Sequence, residues 1–290
     1  MAAIIAALAS LTHAYRYRFV RSEADLVRLL PRSRGSIFFV DVGVLRRAGI
    51  LQLIEGSPAA QERGYRSFSN EAHFDFARDV DSFSGTFDGQ TIFAALRGRF
   101  DWGALERYAG AHGGRCEAEL CYSPASEPGR WVSFLPVQPD VMALAVSSDR
   151  SAARSLLPGR SARSELVPPE PVWVSLAPSL IRNPAHLPAA MRIFAISIQS
   201  AESVLLSLSG AGDGFKLQLD ADFPSPTAAD TARKQLETDT TLFTRELARE
   251  HEQPNPADLS GLLVRGTFEA HGKHLLGIWP VSMELLKALT

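Results

Sequence analysis

The order of predicted helices and strands is repeated along the chain, and this repetition constrains the fold more than any other feature. Residues 35–157 begin with an apolar strand segment at 36–42, followed by helices, two strands, a helix, three more strands and a closing helix. Residues 172–290 run in a similar order, with one long helix in the middle. The intervening residues 158–171 contain four prolines, which predicts an extended, semi-rigid linker. We therefore expect an α+β fold of two tandem pseudo-repeated modules, each a mainly antiparallel sheet with helices packed on one face.

The strand predicted at 215–223 has one apolar and one polar face. Its odd-numbered residues are apolar, whereas the even-numbered side chains are polar: Lys216, Gln218, Asp220 and Asp222. Alternation with a period of two indicates one buried and one solvated face. The helix predicted from Ser225 to about residue 252 carries Ala232, Leu236, Phe243 and Leu247 on one stripe, with its Arg, Glu, Asp and Thr residues elsewhere. The polar strand face is the candidate binding surface.

Several local signals define other elements. Asp101 is the predicted N-cap of a helix that ends before Gly113, where glycine favours a left-handed stop. In the second module, apolar runs predict strands over 192–199 and 261–270 and a closing helix over 282–289.

The charge balance argues against a nucleic-acid partner. The 290 residues include 30 basic and 32 acidic side chains, for a net charge of −2. Such a chain has no global field that would steer it towards a polyanion. We expect no nucleic acid and no cofactor.

The N-terminal segment 1–34 combines an apolar run with a basic cluster. Residues 1–12 are uncharged but too few to cross a hydrocarbon layer of about 30 Å. They are typical of the apolar part of a secretory signal whose basic start lies upstream, although an Ala-rich helix packed on the body is the alternative. The basic residues that follow suggest peripheral membrane contact through Arg16, Arg18 and Arg21. We expect an extracytoplasmic protein, periplasmic or membrane-associated, with the cytoplasm as the alternative.

The two cysteines form a candidate disulfide. If the chain reverses at Ala118 and Glu119, Cys116 and Cys121 face each other across a hairpin, within disulfide range. Ala-Glu is a poor type I′ turn, so two free thiols remain an alternative, as does a metal site including His112. A disulfide would favour an oxidising compartment.

No strong catalytic motif occurs in the sequence, and the best polar constellation is a group of carboxylates. Asp75, Asp79 and Asp81 are candidates for binding a divalent cation, because hard cations prefer several carboxylates. The alternative is that they are solvated carboxylates between a helix and a strand, some paired with Arg78. His271 and His274 flank a predicted turn, where we expect them to be exposed.

Two segments of the first module, Leu96–Ala109 and Val141–Asp149, resemble bacterial proteins that carry duplicated α+β modules. The resemblance covers about the first 157 residues. It implies the modular fold but no established activity, and it transfers no site residue.

These features predict a non-catalytic binding or scaffold protein of the bacterial envelope, whose partner is a protein or a small-molecule ligand. A divalent-cation-dependent hydrolase using Asp75, Asp79 and Asp81 is one alternative. Another is a carrier of an apolar small ligand between the two layers of each module. The carrier requires a cavity of a few hundred Å³, whereas we expect a filled core.

Overall fold

The computed structural model describes residue 20 and residues 22–31, 35–51, 63–87, 90–157, 167–183, 189–211 and 214–288. The helices that lie within these residues are α1 (Glu23–Leu29), α2 (Val42–Arg47), α3 (Arg63–Ala72), α4 (Phe76–Asp79), α5 (Trp102–Ala111), α6 (Pro178–Arg182), α7 (Ala189–Ser197), α8 (Pro226–Arg249), α9 (Leu259–Leu263) and α10 (Met283–Ala288). The strands are β1 (Ser36–Asp41), β2 (Val80–Phe87), β3 (Ile92–Gly98), β4 (Arg115–Glu117), β5 (Leu120–Pro124), β6 (Trp131–Gln138), β7 (Val141–Ser147), β8 (Val172–Ser175), β9 (Ser203–Ala211), β10 (Gly214–Asp222), β11 (Thr267–His271) and β12 (His274–Val281). A 3-10 helix spans Ala152–Leu156.

The chain divides into two compact units. Unit 1 comprises Met1–Ser33 and Ser67–Val167, and unit 2 comprises Arg34–Arg66 and Pro168–Thr290. The mixture of helices with large antiparallel sheets confirms the predicted α+β class. The basic residues Arg16, Arg18 and Arg21, the signal-like segment and most of the linker lie outside the described residues.

Unit 1 contains an antiparallel sheet with the strand order β2-β3-β7-β6-β5-β4. Helix α5 precedes the β4–β5 hairpin. As predicted, Asp101 caps α5 by accepting a hydrogen bond from the Ala104 amide at 2.9 Å. The chain leaves the helix through Gly113, whose φ is 75°. These two local signals therefore fix both ends of α5.

Unit 2 contains an antiparallel sheet with the order β1-β8-β9-β10-β12-β11. Helix α8 packs on β11 and β12. Its N-cap is Ser225, whose hydroxyl accepts a hydrogen bond from the Ala228 amide at 3.2 Å. Leu236 and Leu247 are buried in α8, in agreement with the predicted stripe.

Strand β1 belongs to unit 2, which differs from its predicted place in the first module. It pairs with β8 in the register Ile37↔Ser175 to Val40↔Val172. Its side chains alternate, with Ile37 and Phe39 buried and Phe38 and Val40 partly exposed. An apolar run does not specify its partner strand, so the sequence pattern was compatible with either module.

Two predicted strands of the second module are wrong in part. Residues Ala189–Ser197 form helix α7, and Leu259–Leu263 form helix α9 before β11 begins at Thr267. Short apolar runs fit a buried helix as well as a strand. For α9 the deciding local feature is Asp258, which caps the helix by accepting a hydrogen bond from the Ser260 amide at 2.7 Å.

Candidate functional site

The polar face of β10 carries a ladder of mutually bonded side chains. Lys216 Nζ donates to Gln218 Oε1 at 3.2 Å, and Gln218 Nε2 donates to Asp220 Oδ2 at 2.9 Å. Asp222 lies at the far end of the ladder, where it accepts a hydrogen bond from the Ser203 hydroxyl at 2.8 Å. The structure therefore brings the four predicted residues together, on a sheet face rather than in a cavity.

His274 joins the last two carboxylates of this ladder. Its Nε2 lies 3.3 Å from Asp220 Oδ1, and its Nδ1 lies 3.2 Å from Asp222 Oδ1. The Ser203 hydroxyl, followed by His274, lowers the pKa of Asp222, while burial opposes them. His271 is exposed, with its Nε2 3.3 Å from Glu269 Oε2. The ladder thus satisfies much of its own hydrogen-bonding capacity.

The three candidate metal ligands have separate structural surroundings. Asp75 caps α4, accepting hydrogen bonds from the amides of Ala77 and Arg78. Asp79 is buried and its carboxylate lies 2.8 Å from Arg78 Nη2 and 3.4 Å from Arg99 Nη2. Asp81 is exposed on β2. In the part of the chain that the structure describes, no group of three or more His, Cys, Asp or Glu side chains is arranged to hold a metal ion.

Cys116 and Cys121 form a disulfide across the β4–β5 hairpin. They are paired in register, with their Cα atoms 4.0 Å apart and an S–S distance of 2.04 Å. The turn is made possible by Ala118, whose φ is 55°. The disulfide is therefore confirmed, and the alternatives of free thiols and of a metal site with His112 are wrong, because both sulfurs are consumed in the bond.

A cavity of about 340 Å³ lies between the helices and the sheet of unit 1. This helix–sheet cavity contradicts the expected filled core. Helices α3 and α5 contribute one wall, the sheet contributes another, and residues after β5 close the rim. Its lining is almost entirely apolar: Phe68, Phe74, Leu96, Leu105, Tyr108, Ser123, Pro124, Ala125, Ser126, Val132, Phe134, Met142 and Leu144.

Aromatic rings from the helix side shape this cavity. Phe68 packs edge-on against Tyr108, with ring centroids 5.0 Å apart, and against Phe74 at 5.8 Å. Burial, followed by the charge of Glu71, raises the pKa of Tyr108, which keeps the phenol neutral. The cavity therefore offers aromatic and aliphatic surface with few polar groups.

The disulfide is packed beside this cavity. Cys121 is 3% exposed and belongs to the same buried cluster as Leu105, Phe134 and Met142, all of which line the cavity. The covalent link holds β4 to β5 next to the rim residues that follow β5. It is placed to stabilise the cavity wall.

Unit 2 contains a smaller cavity of about 180 Å³ between its helices and its sheet. Phe194 and Ile198 close it from α7 and from the residue after α7, Leu236 from α8, and Leu217 and Trp279 from the sheet. A cavity of this order holds a benzene-sized group and stays dry when its lining is apolar. Both units therefore leave space between their two layers.

Sequence reasoning missed both cavities, since an apolar residue that lines a void has the same sequence pattern as one that fills a core. The clustering of aromatic residues in and around α3 and α5 was the available signal. Rings that cannot interdigitate completely leave such space.

The comparisons with known proteins show similarity of fold. Crystal form III of TP0453 has a TM-score of 0.55 at 11% sequence identity, covering 93% of this chain and 98% of that chain. Crystal form I has a TM-score of 0.53 at 11% identity, with the same coverage. Crystal form IV has a TM-score of 0.51 at 10% identity, covering 93% and 96%. No protein-family model matches the chain, and no curated protein matches its sequence.

In addition, none of the helices among the described residues combines the length and the apolar character needed to span a membrane.

Proposed function

We propose that the protein is a non-catalytic binding protein that carries an apolar small ligand in the helix–sheet cavity of unit 1. The observation that supports this proposal is the cavity itself, whose volume of about 340 Å³ falls in the range of small-molecule sites. Its lining buries apolar ligand surface, and the contribution is about 25 cal/mol for each Å² removed from water. The ligand would be neutral, because a charge placed there would be desolvated without a partner.

The lining also indicates the shape of this ligand. Phe68, Phe74 and Phe134 present ring faces and edges, which favour aromatic or flat alicyclic groups. Tyr108 and Ser123 are the polar side chains nearest to the sheet and helix walls, and each has a hydroxyl that can orient one polar group of the ligand. A largely apolar molecule with one hydroxyl or carbonyl group fits this chemistry.

Other functions receive less support from the geometry. A cation-dependent hydrolase requires Asp79 to coordinate a metal, yet two arginines already neutralise this carboxylate. The polar face of β10 remains a candidate surface for a protein partner, although its side chains bond to one another.

We also propose that the protein works in the bacterial envelope. The disulfide supports this location, because such bonds persist in oxidising compartments and are rare in the cytosol. The signal-like N-terminal sequence is the second support.

The predicted two-module pseudo-repeat is also part of the proposal. In unit 1 the hairpin β2–β3 precedes α5 and then β6–β7, with β7 beside β3. In unit 2 the hairpin β9–β10 precedes α8 and then β11–β12, with β12 beside β10. The two orders correspond once the β4–β5 hairpin is treated as an insertion. Failure of these strand sets to superpose in an experimental structure would argue against the duplication.

Binding of N-phenyl-1-naphthylamine, a neutral probe that fluoresces in apolar surroundings, tests the carrier function. The wild-type protein should bind it in the cavity of unit 1, since the probe exceeds the benzene-sized ligands that a void like that of unit 2 holds. Leu144→Trp should fill the cavity and weaken binding at least about tenfold. Fluorescence titration measures the affinity.

Leu242→Trp is the matched control, because Leu242 is 50% exposed and lies away from the cavity. It should leave probe binding unchanged. Should Leu144→Trp fail to fold, Leu144→Phe provides a smaller filling step with an intermediate effect. The carrier function is excluded if the wild-type protein does not bind the probe, or if a folded filling variant binds it as tightly.

A further inference from the structure

A second, chemically different space lies in unit 2, between α7 and α8. This α7–α8 groove has a volume of about 780 Å³. Its walls are Ile193, Ile196, Ser197, Gln199, Ser200, Ser225, Thr227, Ala228, Thr231, Ala232, Gln235 and Asp239. Hydroxyl and amide groups are frequent in this lining, which distinguishes the groove from the two apolar cavities.

Asp239 supplies the charge of the groove. It is only 5% exposed, and it is the only ionisable side chain among the described residues that line the groove. The Ser197 hydroxyl donates to its Oδ2 at 2.5 Å, and Gln235 Nε2 donates to its Oδ1 at 2.9 Å. Within the described residues, no Lys, Arg or His side chain forms an ion pair with it.

This environment is unusual for a carboxylate. Buried carboxylates are generally paired with a cation, because desolvation of an isolated charge is costly. A carboxylate has about four lone-pair positions, and the two neutral donors at Asp239 occupy only two of them. The groove therefore presents an acceptor site that a cationic donor would complete.

Apolar side chains lie beside this acceptor site. Ile193 and Ile196 are 47% and 51% exposed on the α7 wall, which is high for large aliphatic residues. Thr231 and Gln235 on α8 add hydrogen-bonding groups. An ammonium group at Asp239 with an alkyl substituent along α7 would match both features.

We propose that the α7–α8 groove binds a small organic ammonium compound with an apolar substituent, and that Asp239 recognises its charged nitrogen. This site is separate from the apolar cavity of unit 1 and does not depend on the carrier function. Asp239 also links α7 to α8 through Ser197, so its test needs a readout that a purely structural link would not change.

The relative affinity for n-octylammonium and n-octanol provides this readout, measured by isothermal titration calorimetry on the full chain. The two probes have the same alkyl chain, so apolar binding elsewhere contributes similarly to both. The wild-type protein should prefer the ammonium probe by at least about tenfold, as expected for a charge-assisted hydrogen bond in a buried site. Asp239→Asn preserves the shape of the side chain and should abolish this preference.

Ile196→Arg is the second variant, for the case in which Asp239→Asn does not fold. Because Ile196 is exposed, the substitution should be tolerated, and the added positive charge should repel the ammonium probe. Ile196→Gln is its neutral control and should retain the preference. The assignment is overturned if the wild-type protein shows no preference, or if folded Asp239→Asn or Ile196→Arg retains it. Binding of the naphthylamine probe in unit 1 is unaffected by either result, so the two proposals fail separately.

Discussion

At the scale of single residues, Asp79 shows how one buried carboxylate is stabilised. The hydrogen bond from Arg78 lowers its pKa most, and the Asp75 amide and the charges of Arg78 and Arg99 lower it further, against the effect of burial. An unfolded Asp titrates near pH 3.9. Because the folded pKa lies below this value, the stabilisation is complete above about pH 4 and is lost as the pH falls through the folded pKa.

Asp79→Asn should therefore lower the free energy of unfolding by about 1–2 kcal/mol at neutral pH, because the charge-assisted bonds are lost. The difference from wild type should shrink well below pH 4, where the wild-type carboxylate becomes protonated. Urea unfolding at neutral and acidic pH measures both effects. Glu106→Gln, a change at an exposed side chain of α5, should alter stability by less than about 0.5 kcal/mol. A constant difference at all pH values would contradict the ionic origin.

Polar residues also show the limits of sequence reasoning at this scale. Asp101 and Ser225 were identifiable as N-caps because a cap acts within three residues of its own position. Asp239 was placed on the polar face of its helix, yet it is 5% exposed. Its burial depends on α7, a separate segment of the chain whose helical conformation the apolar pattern did not reveal.

At the scale of elements, helix α8 provides a matched pair of leucines. Leu236 is 1% exposed in the core of unit 2, whereas Leu242 is 50% exposed on the same helix. Leu236→Ala should destabilise the protein by about 2–4 kcal/mol through lost burial and an enlarged void. Leu242→Ala should change the unfolding free energy by less than about 0.5 kcal/mol.

Denaturant unfolding of both variants measures this difference. Since the two substitutions have the same intrinsic effect on helix propensity, only packing separates them. Equal losses of stability would mean that α8 does not pack on the sheet through the predicted stripe.

At the scale of the whole molecule, the disulfide relates the fold to the compartment in which it forms. Cys116 and Cys121 are the only cysteines of the chain, so oxidation can produce only this intramolecular pair. In cells, alkylation should label both thiols only after reduction, and the protein should fractionate with the envelope. Mass spectrometry of the alkylated protein measures the labelling, with a Cys116→Ser/Cys121→Ser double variant as the unlabelled control. Reduced thiols on a protein found wholly in the cytosol would exclude the envelope location.

The sequence by itself determined the features that depend on neighbours along the chain. These are the α+β class, the alternating strand β10, the capped helices α5 and α8, and the facing of Cys116 and Cys121 across a hairpin. Periodicity, capping and hairpin pairing act over a few residues, so their signals are present in the local sequence. The tertiary structure alone decided that β1 pairs with β8, that α7 is a helix, that voids remain between the layers, and that Asp239 is buried. Each of these depends on which distant surfaces meet and how completely their side chains fill the space between them, and no local pattern encodes that.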